Sequence, residues 1–239
     1  MAIFGESHTL IYAILGGVIP ALVWLWFWLR EDTHPEPIGL IIAAFIIGAL
    51  SVMFVVPLQK YASTLFTSHR EIIVAWASIE EIIKFIIVAV VALGTRYMKE
   101  PIDFPIYFIT VALGFAAFEN ILFIIKPLNA GNMLVGFLTG NLRFLGSTLL
   151  HAMASAIIGI GIGLAWDGTF IKKSFFAILG LIGAISLHSV FNFFIMDNAQ
   201  ENFLTVFGFL WVFTIINMLL FEKLRRMGQS STVSSPVTN

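Results

Sequence analysis

With 239 residues, 59% hydrophobic and 11% charged, and a mean hydropathy of +0.97, the chain is excluded from the water-soluble globules, in which about a quarter of residues carry charge. A net charge of -1 without a basic stripe gives no footing for nucleic acid, and the absence of cysteine removes disulfides, thiolate metal sites and cysteine nucleophiles together. What is left is a polytopic membrane protein, expected to fold as an all-α transmembrane helix bundle.

A helix needs roughly 20 apolar residues to cross about 30 Å of hydrocarbon. The first such run covers about 9–29; the MAIFGESH before it has no Lys or Arg, and the run is too long for a signal-peptide core, so it reads as a true span. The segment Arg30-Glu-Asp-Thr-His-Pro-Glu-Pro37 leads into a second span at about 38–57. The third, about 72–94, is interrupted by Glu80, Glu81 and Lys84, each of which costs roughly 2.5 to 3.5 kcal/mol near the bilayer centre. Such an interruption points to a polar cavity or a functional site.

The fourth span, about 102–125, carries Glu119. The stretch 131–143 reads as a loop or a re-entrant segment, so the expected number of spans is about seven, or eight. A fifth span at about 144–166 holds His151, Ser155, Gly159 and Gly163 at intervals of four, a small-residue stripe that lets backbones approach closely. The sixth, about 174–196, sets His188 and Asn192 one turn apart on one face, with Gly180 and Ala184 continuing it. The seventh covers about 202–221, giving a single transmembrane domain over 1–221. The polar, turn-rich end, 222–239, reads as a disordered cytoplasmic tail.

With seven spans and the N-terminus outside, Arg30, Arg96, Lys99, Lys172, Lys173, Lys223, Arg225 and Arg226 share one side, against Lys60, Arg70, Lys126 and Arg143 on the other. The positive-inside rule then makes the first side cytoplasmic. The expectation is an integral protein of the cell membrane with its C-terminus inside.

His8, His34 and His69 lie outside the spans and read as surface residues; the histidines inside spans are His151 and His188. At about 1.5 Å per residue, Glu80 and His188 lie roughly 12 Å below the outer ends of their helices, His151 about 10 Å and Glu119 about 9 Å. Four helices thus bring ionisable groups to one level, whichever way the protein is inserted. Buried hydrogen-bonded pairs that glue helices are the bland alternative. Glu80 and Lys84, four apart in acid-first order, suggest that Lys84 neutralises its neighbour.

Several ways of cutting a peptide bond in a membrane are absent. The chain has no HExxH for zinc, no GxSxG, and no aspartate near the middle of a span, since Asp103 and Asp197 fall at helix ends. A glutamate and histidine site remains.

Glu80-Glu81-Ile-Ile-Lys84, Phe115-Ala-Ala-Phe-Glu119-Asn120, His151 with its glycine stripe, and His188-Ser-Val-Phe-Asn192 resemble, in order and on separate helices, the four motifs of the PrsW family. The resemblance extends over about 10–220, and Arg30–Pro37 is similar to that family's first cytoplasmic loop. The family is itself similar to the type II CAAX prenyl endopeptidases, which are glutamate-dependent intramembrane proteases.

That likeness implies an intramembrane endopeptidase whose catalytic set is Glu80, Glu81, Glu119, His151, His188 and Asn192. Glu80 would activate water, and His188 with Asn192 would hold the oxyanion. The second CAAX motif is FxxxH where this chain has Glu119, so His151 would take that part with Glu119 orienting it. Glu81 is left between support and the catalytic role itself. The implied mechanism needs no cofactor. Its rival within the enzyme class is zinc held by Glu80, or Glu81, with Glu119, His151 and His188. The implied partner is a single-span membrane protein such as an anti-sigma factor, cut near the outer boundary of the bilayer. A proton-coupled transporter and a non-catalytic scaffold are the readings outside hydrolysis.

Overall fold

A computed structural model describes residues 6–32, 34–198 and 203–233. It contains eight α-helices: α1 (Glu6–Leu29), α2 (Ile38–Leu65), α3 (His69–Val88), α4 (Asp103–Asn129), α5 (Met133–Leu142), α6 (Thr148–Leu164), α7 (Phe170–Asn198) and α8 (Phe203–Val233). A π-helical turn at Arg143–Ser147 joins α5 to α6 in one rod, and a second, Ala89–Leu93, prolongs α3. The result is an all-helical bundle of seven rods, and no strand occurs among the described residues.

Six rods are long and apolar enough to cross a membrane. The seventh is α3, whose charged residues set it apart from the rest. The protein is an integral membrane protein of about seven spans.

Three boundaries differ from those expected of the sequence. The stretch 131–143 is largely helical, because Asn132 caps α5 by accepting from the Val135 N–H, and the apolar run after it continues into α6. Helix α2 runs on to Leu65 rather than about 57, so Gln59, Lys60 and Ser63 belong to the bundle. Helix α8 continues to Val233, so the first part of the stretch read as a tail is helical; 234–239 lie outside the described residues.

Helix α4 is the axis of the molecule. Every residue from Asp103 to Ala117 is buried, and the helix packs against α1, α2 and α6. Glycines permit this closeness: a Cβ on Gly48 of α2 would overlap the Val111 carbonyl of α4, and one on Gly114 would overlap the Phe45 carbonyl in return. On α6, a Cβ at Gly159 would fall 2.5 Å from the Pro105 Cα, so part of the stripe seen in the sequence is a backbone contact with α4. These approaches bring one face each of α2, α3, α4, α6 and α7 around a common space.

Candidate active site

Consecutive residues on a helix point about 100° apart, so Glu80 and Glu81 face different neighbours although both are buried. Glu81 is fully engaged. Its Oε1 accepts from Lys84 Nζ at 2.7 Å and lies 2.8 Å from His188 Nδ1, while Oε2 accepts from Ser155 Oγ at 2.8 Å. Glu80 is engaged on one side only. Its Oε1 accepts from the Gln59 amide at 2.8 Å, whereas Oε2 is buried without a hydrogen-bond partner.

That oxygen faces nitrogen. His188 Nε2 lies 3.7 Å away, His151 Nδ1 3.8 Å and Lys84 Nζ 3.8 Å. Each imidazole is held from behind by a carboxylate: His188 Nδ1 meets Glu81, and His151 Nε2 lies 3.0 Å from Glu119 Oε2. A proton on each of those remote nitrogens leaves a lone pair on His188 Nε2 and on His151 Nδ1, both turned to Glu80. The rings stand edge to face with centroids 5.0 Å apart, and Phe115 packs on His151 at 5.4 Å.

A metal ion fits this set. One ligand atom from each of Glu80, His151 and His188 lies within 4.8 Å of the others, and all three side chains are buried. Tetrahedral zinc with bonds of about 2.0 to 2.2 Å holds its ligand atoms roughly 3.3 to 3.6 Å apart; the two carboxylate–imidazole separations, 3.7 and 3.8 Å, are close to that, and the two imidazole nitrogens, within 4.8 Å of each other, would have to draw together. With a metal there, the outer carboxylates would complete the carboxylate–histidine–metal arrangement that orients such ligands. A centre of this kind also removes the cost of a buried carboxylate oxygen with no partner. Glu119, counted among zinc ligands in the sequence reading, lies instead at the remote nitrogen of His151. Lys84 Nζ, 2.9 Å from His151 Nδ1 and 4.5 Å from the Phe115 ring centre, has to give up its contact with Nδ1 when that atom binds a metal.

The set opens on a cavity of about 670 Å³ whose wall includes Gln59, Glu80, Glu119, His151, His188 and Asn192. Lys60 and Arg143 also line it. Of the residues expected from the sequence, Glu80, Glu119, His151, His188 and Asn192 reach the cavity, and Glu81 stands behind it. Lys84 neutralises Glu81 at 2.7 Å more closely than it does Glu80.

Gln59 and Arg143 were not singled out by the sequence. Both fall where the hydropathy pattern suggests loops, and the available signal is a polar residue within a turn of an apolar run, after it at Gln59 and before it at Arg143. Arg143 pairs with Glu119 through Nη2 and donates from Nε to Asn120 Oδ1 at 2.5 Å. Ser155, noted only as a small residue, is the third partner of Glu81.

A family model described as PrsW family intramembrane metalloprotease matches residues 36–220. The curated protein Protease PrsW of Oceanobacillus iheyensis is 31% identical over 180 residues, covering 74% of this chain and 80% of that protein. The proteins of the same name from Geobacillus kaustophilus and Clostridioides difficile are each 26% identical, over 77% and 86% of this chain and 79% and 88% of their own lengths. No solved structure matches the chain.

Proposed function

The chain belongs to the PrsW family of intramembrane metalloproteases, and we propose that this membrane peptidase is an endopeptidase acting at a zinc centre held by Glu80, His151 and His188. The observation that carries the reading is the buried, unpartnered Oε2 of Glu80, facing His188 Nε2 at 3.7 Å and His151 Nδ1 at 3.8 Å. Zinc supplies Lewis acidity to a peptide carbonyl and to water.

The chain's own groups do the rest. Gln59 holds Oε1 of Glu80, so the carboxylate presents Oε2 to the cavity in one orientation. Glu81 and Glu119 keep protons on His188 Nδ1 and His151 Nε2 and their opposite nitrogens ready to ligate. Asn192, one turn beyond His188 and on the cavity wall, offers an amide N–H to the oxyanion that forms when the peptide carbonyl is attacked. A donor in that role is worth about 3 to 4 kcal/mol of barrier. Phe115 and the valines of α2 in the wall limit water to the cavity.

A second reading is favoured by one contact, Lys84 Nζ at 2.9 Å from His151 Nδ1. There the site works without metal, and Glu80 Oε2 takes the proton of the attacking water directly. The site residues are the same, so the readings part only on metal dependence.

The substrate of this proposal is a single-span membrane protein of the anti-sigma-factor type. Its cut falls in the extracytoplasmic half of the bilayer, a reading supported by the bias of basic residues, which favours the N-terminus outside, and by the depth of Glu80 and His188 below the ends of their helices on that side. The test is cleavage of a tagged single-span protein in proteoliposomes, with the product ends mapped. Wild type should cut once or a few times within the outer half of the span, and Glu80→Gln should not cut. Full cleavage by Glu80→Gln, or proton flux through wild type without any cleavage, contradicts the proposal.

A further inference from the structure

Arg143 stands in the continuous helical rod from Met133 to Leu164, which is apolar enough to cross a membrane and in which an isolated guanidinium is costly. Its side chain is only 15% exposed. It sits at the first position of the π-helical turn Arg143–Ser147, the kind of insertion that recurs where a helix serves a functional site.

The contacts of Arg143 are all local to that site. Nη2 pairs with Glu119 Oε2, the oxygen that also lies 3.0 Å from His151 Nε2. Nε donates to Asn120 Oδ1 at 2.5 Å, and the Asn120 amide donates in turn to Thr148 Oγ1 at 2.8 Å. The guanidinium lies 4.1 Å from the centre of the Phe123 ring. The fork therefore grips two adjacent side chains of α4 and rests on a third, one turn further along.

We propose that Arg143 is a positioning residue for the reaction: by fixing Glu119 against His151 Nε2 it sets the tautomer of His151 and turns Nδ1 towards Glu80. This rests on the reading of Glu80, His151 and His188 as the reacting centre. The geometric reason is that the Glu119 side chain is 19% exposed and lines the cavity, so a carboxylate not held in place can turn to solvent. Without the guanidinium its carboxylate turns to the water of the cavity, and His151 loses the acceptor on Nε2, so that only the Lys84 ammonium, 2.9 Å from Nδ1, still favours the proton on Nε2. A helix-gluing role alone requires only that Arg143 bind α4 somewhere. The chosen acceptor is instead the one oxygen that also meets the histidine.

The test uses full-length protein labelled with ¹⁵N-histidine, comparing wild type, Arg143→Met, Arg143→Lys and Glu119→Gln, with His151→Ala to assign the signal. The ring nitrogens should report one neutral tautomer with the proton on Nε2 in wild type and a mixture of tautomers in Arg143→Met. Turnover should fall roughly 10- to 100-fold in Arg143→Met at little-changed KM, the range of outer-sphere substitutions around metal ligands. Arg143→Lys, which keeps the charge but loses the fork, should recover only part of that loss and serves if Arg143→Met does not fold. Combining Arg143→Met with Glu119→Gln should be no worse than Glu119→Gln alone.

An unchanged His151 tautomer in a folded Arg143 variant overturns the proposal, as does a loss that appears in KM alone. Because the tautomer is read without substrate or added metal, its result stands apart from the failure of the proteolytic reading, which the Glu80→Gln cleavage assay decides.

Discussion

The side-chain amide of Gln59 on α2 donates to Oε1 of Glu80 on α3 at 2.8 Å, and the same residue's carbonyl accepts from the Trp76 indole at 3.1 Å. The second bond ties the backbone of Gln59 to α3, so the amide meets Glu80 from a fixed position. Oε1 is satisfied, and Oε2 is left to face the two histidines. Gln59→Leu frees the carboxylate to rotate and should lower turnover roughly 10- to 100-fold. The loss should appear in kcat of the proteoliposome assay, beside a stability cost of roughly 1 to 3 kcal/mol for the buried oxygen left without its donor.

Glu80 and Glu81 should separate by what each loses. Glu80→Gln keeps the acceptor for Gln59 and removes a charge from a buried oxygen that has no partner, so the fold should be at least as stable as wild type while activity disappears. Glu81→Gln strips the carboxylate from buried Lys84 and from His188, and breaking a buried ion pair costs roughly 3 to 5 kcal/mol. Thermal unfolding in detergent should put Glu81→Gln well below Glu80→Gln. The reverse order would show that the two acids have been assigned the wrong way round.

Ser155 is a milder probe of the same network. Ser155→Ala removes one donor to Glu81 Oε2 in a buried site and should cost roughly 1 to 3 kcal/mol. Activity should persist, because Lys84 and His188 still hold the other oxygen. The comparison is unfolding midpoint against turnover on one preparation.

Outside the spanning segments, Glu36 gives a pH-dependent test. Burial raises its pKa above the ordinary carboxylate value, although the Tyr107 hydroxyl donates to it at 2.6 Å and opposes the rise. Asp32 adds to the rise, while Asp103, by hydrogen bonding, and Lys99, by its charge, oppose it. A pKa higher in the folded state means that the folded protein binds more protons, so stability is greatest at low pH and declines as pH rises from the unfolded towards the folded value. Glu36→Gln keeps an acceptor for Tyr107 and carries no charge. Its unfolding midpoint should therefore vary less than that of wild type between pH 4 and pH 8, with the variant gaining relative stability at the alkaline end.

Much of this was legible in the sequence because membrane burial makes charge conspicuous. Glu80, Glu81, Glu119, His151 and His188 stand out against apolar runs, and the similar depths of Glu80, Glu119, His151 and His188 point to a single site. Hydropathy alone could not say where α2 and α5 end, since a helix continues past its last apolar residue when a neighbour takes up its polar groups. Gln59 is tied to α3 in this way, and Arg143 to α4. The division of labour between Glu80 and Glu81 was equally hidden, because it depends on which of two adjacent directions from α3 meets Ser155 and which meets Gln59. The separation of Glu119 from the group of Glu80, His151 and His188 that could hold a metal depends on ring orientation at His151, which spacing along the chain does not encode.

Whether Glu80, His151 and His188 hold a catalytic metal is decided by measuring zinc per chain in purified wild type, Glu80→Gln and His188→Ala, alongside cleavage before and after a membrane-permeant chelator. About one zinc per wild-type chain is expected, with its loss from both variants and with activity that falls on chelation and returns with zinc. Undiminished cleavage by metal-free wild-type protein would contradict a catalytic metal there.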